Sequence, residues 1–276
     1  MKYETRQIAI GGIGGSGTRA VAELFEKMGY FIGYDLNRAK DNLLYTLLFK
    51  RKDILVLPKN ELKKRLNFFY KYSSTSYKIS ENEKKWLFKL AEKNNIKHSK
   101  EWLMQRVEVC INTICQSHNN WGWKEPNTHV IIDKILELSL DIKFIYVYRN
   151  GLDMAFSSNQ NQLEFWGNIF LNEHTLEINA KNSLKYWCEV HERMLRLQKN
   201  YPENIYMLNL DTMCIDTNEE LKKLFYFLKK KDMKDILKYE KIFVQSNSIG
   251  RYKNFGLEQF DIKDLNYLKT IYSDIE

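Results

Sequence analysis

Near its amino end the sequence reads Gly11-Gly12-Ile13-Gly14-Gly15-Ser16-Gly17-Thr18-Arg19, and five of the chain's 12 glycines fall in that short run. Glycine reaches backbone conformations closed to other residues, so conformational freedom is concentrated at one turn. When such a turn joins a strand to a helix, it aims backbone N–H groups and the positive end of the helix at one point. That makes a cradle for phosphate or sulfate. A turn that merely packs helix against strand has no use for the hydroxyls of Ser16 and Thr18 or the guanidinium of Arg19. All three are donors suited to a tetrahedral oxyanion.

Gly12-x4-Gly17-Thr18-Arg19 follows the outline GxxxxGK[ST], but Thr18 stands where that pattern has its lysine, so an ordinary ATP-binding loop is not expected. A second stretch, Tyr148-Arg149-Asn150-Gly151-Leu152-Asp153-Met154-Ala155-Phe156-Ser157, puts an arginine at a strand end and a serine about two turns into the helix expected to follow. Both belong at the carboxyl edge of a sheet, where open α/β sheets bind ligands. A strand-end position predicts that Arg149 lies outside the core. The plainer alternative pairs Arg149 with Asp153 and leaves Ser157 as helix decoration.

The elements that must position these residues are legible as periodicity. Strands are expected at Arg6 to Ile10, Trp121 to Lys124, Lys143 to Tyr148 and Asn204 to Leu210. Helical spacing marks Thr18 to Met28, Leu43 to Lys52, Asn60 to Tyr72, Glu81 to Asn94, Lys100 to Gln116, His129 to Ser139, Ala180 to Lys199 and Asn218 to Lys230. Strands separated by helices predict an α/β fold with a parallel sheet covered on both faces.

A chain of 276 residues with 44% hydrophobic and 28% charged residues can bury a large core. With only three prolines and no Gly/Ser-rich tract, no linker divides it, and one domain is expected. The four cysteines form no CxxC pair and read as reduced, mostly buried thiols; the five histidines show no metal spacing. The start is charged and no stretch approaches the roughly 18 apolar residues of a membrane helix, so a cytoplasmic chain without a transmembrane segment is expected. The net charge of +8 suits a polyanion, a phosphorylated cofactor or solubility, and does not choose among them.

GGSGTR after the first strand, and Arg149 with Ser157 after KFIYVY, resemble the 5′-phosphosulfate loop and the 3′-phosphate motif of sulfotransferases that use 3′-phosphoadenosine 5′-phosphosulfate (PAPS). WGWKEPNTH resembles the Lys-x-Pro segment of bacterial and tyrosylprotein sulfotransferases, MLNLDTMCIDTNEELKKLFYFL their late strand and helix, and SIGRYK their final cofactor-closing element. The resemblance implies a three-layer sandwich of the P-loop NTPase-like sulfotransferase type. It implies one domain over residues 1–276 with a helical insertion at about 59–118.

It also implies roles. Gly14, Gly15, Ser16, Gly17 and Thr18, with Arg19, would hold the 5′-phosphosulfate, Arg149 and Ser157 the 3′-phosphate, and Gly250, Arg251 and Lys253 would close over the cofactor. Most relatives carry a basic residue where this chain has Gly15, so the charge at the leaving phosphate falls to Arg19 or Lys124. Asp41 and Asp35 stand where relatives keep a catalytic carboxylate or its neighbours. Asp41 is the preferred base, since it opens a helical segment, although an N-cap would look the same. Glu125 is a weaker candidate that could simply pair with Lys124.

The implied reaction moves a sulfuryl group from PAPS to an acceptor hydroxyl, most readily that of a saccharide or glycan, and releases adenosine 3′,5′-bisphosphate (PAP). Fixed cations and backbone donors suffice for it and no metal is demanded. Phe68, Phe69, Tyr70, Tyr72, Trp86 and Trp102 are acceptor-site candidates, though such residues are more often core. A small-molecule kinase would use Asp211 for magnesium but leaves Arg149 with Ser157 unexplained. A non-catalytic polyanion binder would use runs such as Lys63 to Arg65, which solvated helix faces explain as well. No nucleic-acid partner is expected.

Overall fold

The computed structural model describes residues 6–93, 95–138, 141–230, 236–243 and 249–272. Its elements in chain order are β1 (Gln7–Gly12), α1 (Thr18–Lys27), α2 (Leu43–Phe49), α3 (Lys59–Ser74), α4 (Glu81–Ala91), α5 (Lys100–Asn112), β2 (Trp121–Lys124), α6 (Thr128–Leu138) and β3 (Lys143–Tyr148). There follow α7 (Gly151–Ala155), α8 (Asn161–Phe170), α9 (Ala180–Asn200), β4 (Ile205–Asn209), α10 (Leu210–Ile215), α11 (Thr217–Phe227) and α12 (Ile262–Lys269). The fold is α/β, a four-stranded parallel sheet in the order β2-β1-β3-β4 flanked by helices; β1 and β2 pair from Gln7 with Trp121 to Ile10 with Lys124.

The chain divides into two compact units. One contains Gly12–Ala20 and the described residues from Ile145 onward. Its centre is α9, which turns Leu184, Trp187, Val190 and Met194 inward at helical spacing. Helices α7, α8 and α12 and strand β4 pack on it.

The other unit contains the described residues up to Gly11 and those of Val21–Phe144, including α3, α4 and α5 in the segment 59–118. Its core is aromatic: Trp123 of β2 lies 5.2 Å from Phe69 and 6.0 Å from Tyr45, with Phe49 beside both of those rings. Phe69 and Tyr72 are therefore core rather than acceptor-site residues.

The predicted strands and helices all form, with shifted ends. Helix α8 is the helix expected after RNGLDMAFSS; a Cβ at its Gly167 would lie 2.2 Å from Leu176 Cδ2, so the glycine lets that residue pack closely. Helix α7 ends at Ala155, which leaves Ser157 in the following loop and not two turns into a helix. The Lys63 to Arg65 run is not one solvated face. Arg65 sits on the apolar side between Leu62 and Leu66, is buried, and donates to Leu48 O at 2.7 Å near the end of α2.

Candidate functional site

β1 ends at Gly12, and the turn closes where Ser16 N donates to Ile13 O at 3.1 Å. Gly15 has φ +91° and Gly17 φ +86°, left-handed conformations that strain any residue with a Cβ. Space is tight as well: a Cβ would fall 3.0 Å from Ser157 Oγ at Gly15 and 2.2 Å from Leu210 Cδ2 at Gly17. Backbone conformation and space thus both favour glycine at position 15. The Ser16 side chain is 1% exposed, and its Oγ has no hydrogen-bond partner among the described residues. Gly14 N is committed to Gln162 Oε1 at 2.7 Å.

A cavity of about 470 Å³ opens at this turn, and Gly15, Gly17, Arg149, Ser157, Cys214 and Arg251 line it. Two motifs more than 130 residues apart in sequence thus share one wall, as do the turn and Arg251. Thr18 is buried at the start of α1, while Arg19 and Lys253 are exposed and neither lines the cavity.

Arg149 is only 5% exposed, contrary to the expectation from its strand-end position. Its Nε donates to Asp211 Oδ1 at 3.2 Å, and its guanidinium lies 3.8 Å from Asp153 Oδ2. Asp153 is thus the longer of two pairings. Asp211 Oδ2 accepts from Asn150 N at 2.7 Å, and burial holds this carboxyl above the usual aspartate range despite both donors. With each oxygen so engaged, Asp211 is an arginine holder rather than the magnesium ligand of a kinase.

Gln160 does similar work for the serine: its amide donates to Met154 O, Ala155 O and Ser157 O at 3.0, 3.3 and 2.8 Å. Gln160 and Gln162 escaped the sequence reading because a glutamine carries no chemical signature until its partners are seen.

In the other unit, Lys124 Nζ donates to the Asp41 carboxylate and to Ala39 O at 3.2 Å. Asp41 also accepts from Asn37 Nδ2 at 2.9 Å. It is not the N-cap of α2; Asn42 is, accepting from Tyr45 N at 3.0 Å. Asp35 is taken by Arg106, whose Nη1 lies 3.0 Å from each carboxylate oxygen. Glu125 does not pair with Lys124 either: it accepts from Asn127 and faces Lys50 at 3.4 Å. His129 shares a 2.7 Å hydrogen bond with Pro126 O, and His191 one of 2.8 Å with Tyr267 OH, as structural histidines do. No group of three or more His, Cys, Asp or Glu is placed to hold a metal among the described residues, and none of their helices is long and apolar enough to cross a membrane.

A strand, a glycine turn and a helix, with an arginine and a serine after a later strand lining the same cavity, set the frame of this α/β protein. The sulfotransferase family model matches residues 8–233, and the chain belongs to the sulfotransferase family, a family of enzymes. No curated protein matches it. Among solved structures it is similar to sulfotransferase STF9 from Mycobacterium avium (13% identity, 100% of this chain and 78% of that one, TM-score 0.47). It is also similar to the sulfotransferase domain of the Synechococcus PCC 7002 olefin synthase (11%, 100% and 98%, TM-score 0.49). A third is retinol dehydratase in complex with retinol and PAP (12%, 100% and 84%, TM-score 0.44).

Proposed function

We propose that this chain transfers a sulfuryl group from PAPS to a hydroxyl of a saccharide or glycan. The observation that carries the reading is the convergence of the glycine turn, Arg149, Ser157 and Arg251 on one cavity. The donor set fits a sulfonucleotide. Ser16 Oγ is a buried hydroxyl without a partner, and Gly15 and Gly17 leave room that side chains would fill.

Gly14 to Thr18, with Arg19, are assigned to the 5′ side, Arg149 and Ser157 to a 3′-phosphate, and Gly250, Arg251 and Lys253 to the strap beside it. PAPS, when bound, supplies an activated sulfuryl group on a phosphate leaving group. Asp41 is assigned as the base that takes the acceptor proton, with Lys124 holding its carboxylate. Asp35, already occupied by Arg106, is the weaker choice. The positive charge that Gly15 lacks is assigned to Arg19 or Lys124.

A groove of about 360 Å³ between α3 and α4 supports a sugar acceptor. Asn60, Asn67 and Lys71 offer hydrogen-bonding groups there, Phe68 and Trp86 contribute to the wall, and Lys64 Nζ lies 5.0 Å from the Trp86 ring centre. Polar groups beside an aromatic face match the hydroxyls and C–H face of a pyranose.

PAP is expected to raise the melting temperature more than ADP or ATP, because Arg149 and Ser157 match a phosphate those nucleotides lack. At a hundredfold excess over Kd the stabilisation is about 2.7 kcal/mol. Equal shifts in a thermal-shift assay would remove the 3′-phosphate assignment. Release of PAP from PAPS with an oligosaccharide, a tyrosine peptide, a phenol or a steroid then tests the acceptor, and turnover without the oligosaccharide would overturn the sugar reading.

Cys214 gives a readout independent of turnover. It lines the cavity and is half-buried, whereas Cys110, Cys115 and Cys188 are buried. PAP is expected to slow alkylation of Cys214 by N-ethylmaleimide several-fold while ADP protects less. Modification at the same rate with and without PAP would place the nucleotide elsewhere.

A further inference from the structure

The Asp153 carboxylate is 2% exposed and gathers the element that carries Arg251. Asp153 Oδ2 accepts from Gly250 N at 2.7 Å and Oδ1 from Tyr252 N at 3.1 Å. Gly250, at φ +75°, makes the left-handed turn that starts the short 3-10 segment Arg251–Asn254, from which both N–H groups reach one carboxylate. Between these anchored residues, Arg251 extends to the cavity and its Nη1 donates to Phe156 O at 3.3 Å. Phe255 then stacks on Phe156 with ring centres 4.1 Å apart. The same carboxylate lies 3.8 Å from the guanidinium of Arg149, so one buried acid touches the supports of two cavity arginines.

We infer that Asp153 is a positioning residue that pre-anchors the Gly250–Asn254 strap and holds Arg251 at the nucleotide cavity. This rests on the nucleotide reading proposed above. The strap is held by the protein's own contacts, through Gly250 N and Tyr252 N on Asp153, so less ordering cost falls on binding than if Arg251 had to be recruited from a loose segment. An aspartate here does more than balance Arg149. Asparagine at 153 keeps the shape, but its NH₂ must face one of the two N–H donors, and the strap loses an anchor.

The test is a double-mutant cycle read as PAP affinity by calorimetry on the full chain. Asp153→Asn and Arg251→Ala are each expected to weaken PAP about 10-fold or more, the range of a hydrogen bond to a charged group. Because Asp153 acts through Arg251, the double variant is expected to bind no more weakly than the worse single variant. With a measurable PAPS reaction, the loss falls on KM for PAPS rather than on kcat. In the wild-type protein without nucleotide, hydrogen exchange at the Gly250 and Tyr252 amides is expected to be slow, a readout that does not depend on any variant folding.

Multiplicative losses in the cycle, unchanged PAP affinity in Asp153→Asn, or fast exchange at both amides each overturn this inference while wild-type PAP binding leaves the nucleotide reading standing. Failure of the wild-type protein to bind PAP overturns both.

Discussion

Asp41→Asn is expected to cut turnover about 10²–10⁴-fold while PAP affinity stays within a factor of two or so, the cost of losing positioned proton transfer. The substitution spares helix α2, because Asn42 and not Asp41 caps it. Its structural consequence falls on Lys124, whose side chain is 3% exposed and loses its counter-charge, keeping Ala39 O as an acceptor. Some stability loss is therefore expected, since a nearly buried ammonium left without its carboxylate is costly. Rate and stability separate cleanly. Turnover measured well below the variant's melting temperature, with the acceptor that supports wild-type activity, falls if Asp41 takes the proton. Wild-type turnover with lowered stability would make Asp41 a partner of Lys124 only, and the role would pass to Asp35 and then Glu125.

Arg149→Ala carries the largest expected effect on stability and a second one on binding. Removing the guanidinium leaves Asp211 and Asp153 buried without their cation, and breaking a buried pair in this way costs about 3–5 kcal/mol. The deficit depends on pH with a definite sign. The Asp211 carboxyl already lies above the usual aspartate range through burial, and the Arg149 charge pulls it down; without Arg149 it rises further. A carboxyl raised in the folded state costs nothing below its unfolded pKa, where both states are protonated, and destabilises progressively as pH climbs through the raised value.

The variant is therefore expected to lose most at neutral pH and to recover toward wild type near pH 4. Urea unfolding across that range checks it, and a deficit that does not shrink in acid would show that Asp211 does not depend on Arg149. On the binding side, PAP affinity falls by about 1.5–3 kcal/mol, as for a hydrogen bond to a charged group. Unchanged affinity in folded variant protein would make Arg149 structural alone.

The strands and the helices of clear period were legible in the sequence because their signal is local. KFIYVY is a buried run of strand length, and Leu62, Leu66 and Phe69 recur at helical spacing. The glycine turn was legible for a similar reason. Positive φ at Gly15 and Gly17 admits almost no other residue, so the need is written into composition. The family followed from two such turns in order.

What tertiary structure decided is which polar side chains meet. Aspartates look alike in sequence, yet Asp211 holds Arg149, Asp153 holds the strap, Asp35 is tied to Arg106 and Asp41 to Lys124. These assignments are set by partners that lie up to 99 residues away along the chain. Arg149 itself was placed outside the core because strand ends are usually exposed; Asp211 and Asp153 are what allow it to be buried. Pairing in space decides whether a charge is tolerated inside a protein, and no local pattern of residues records it.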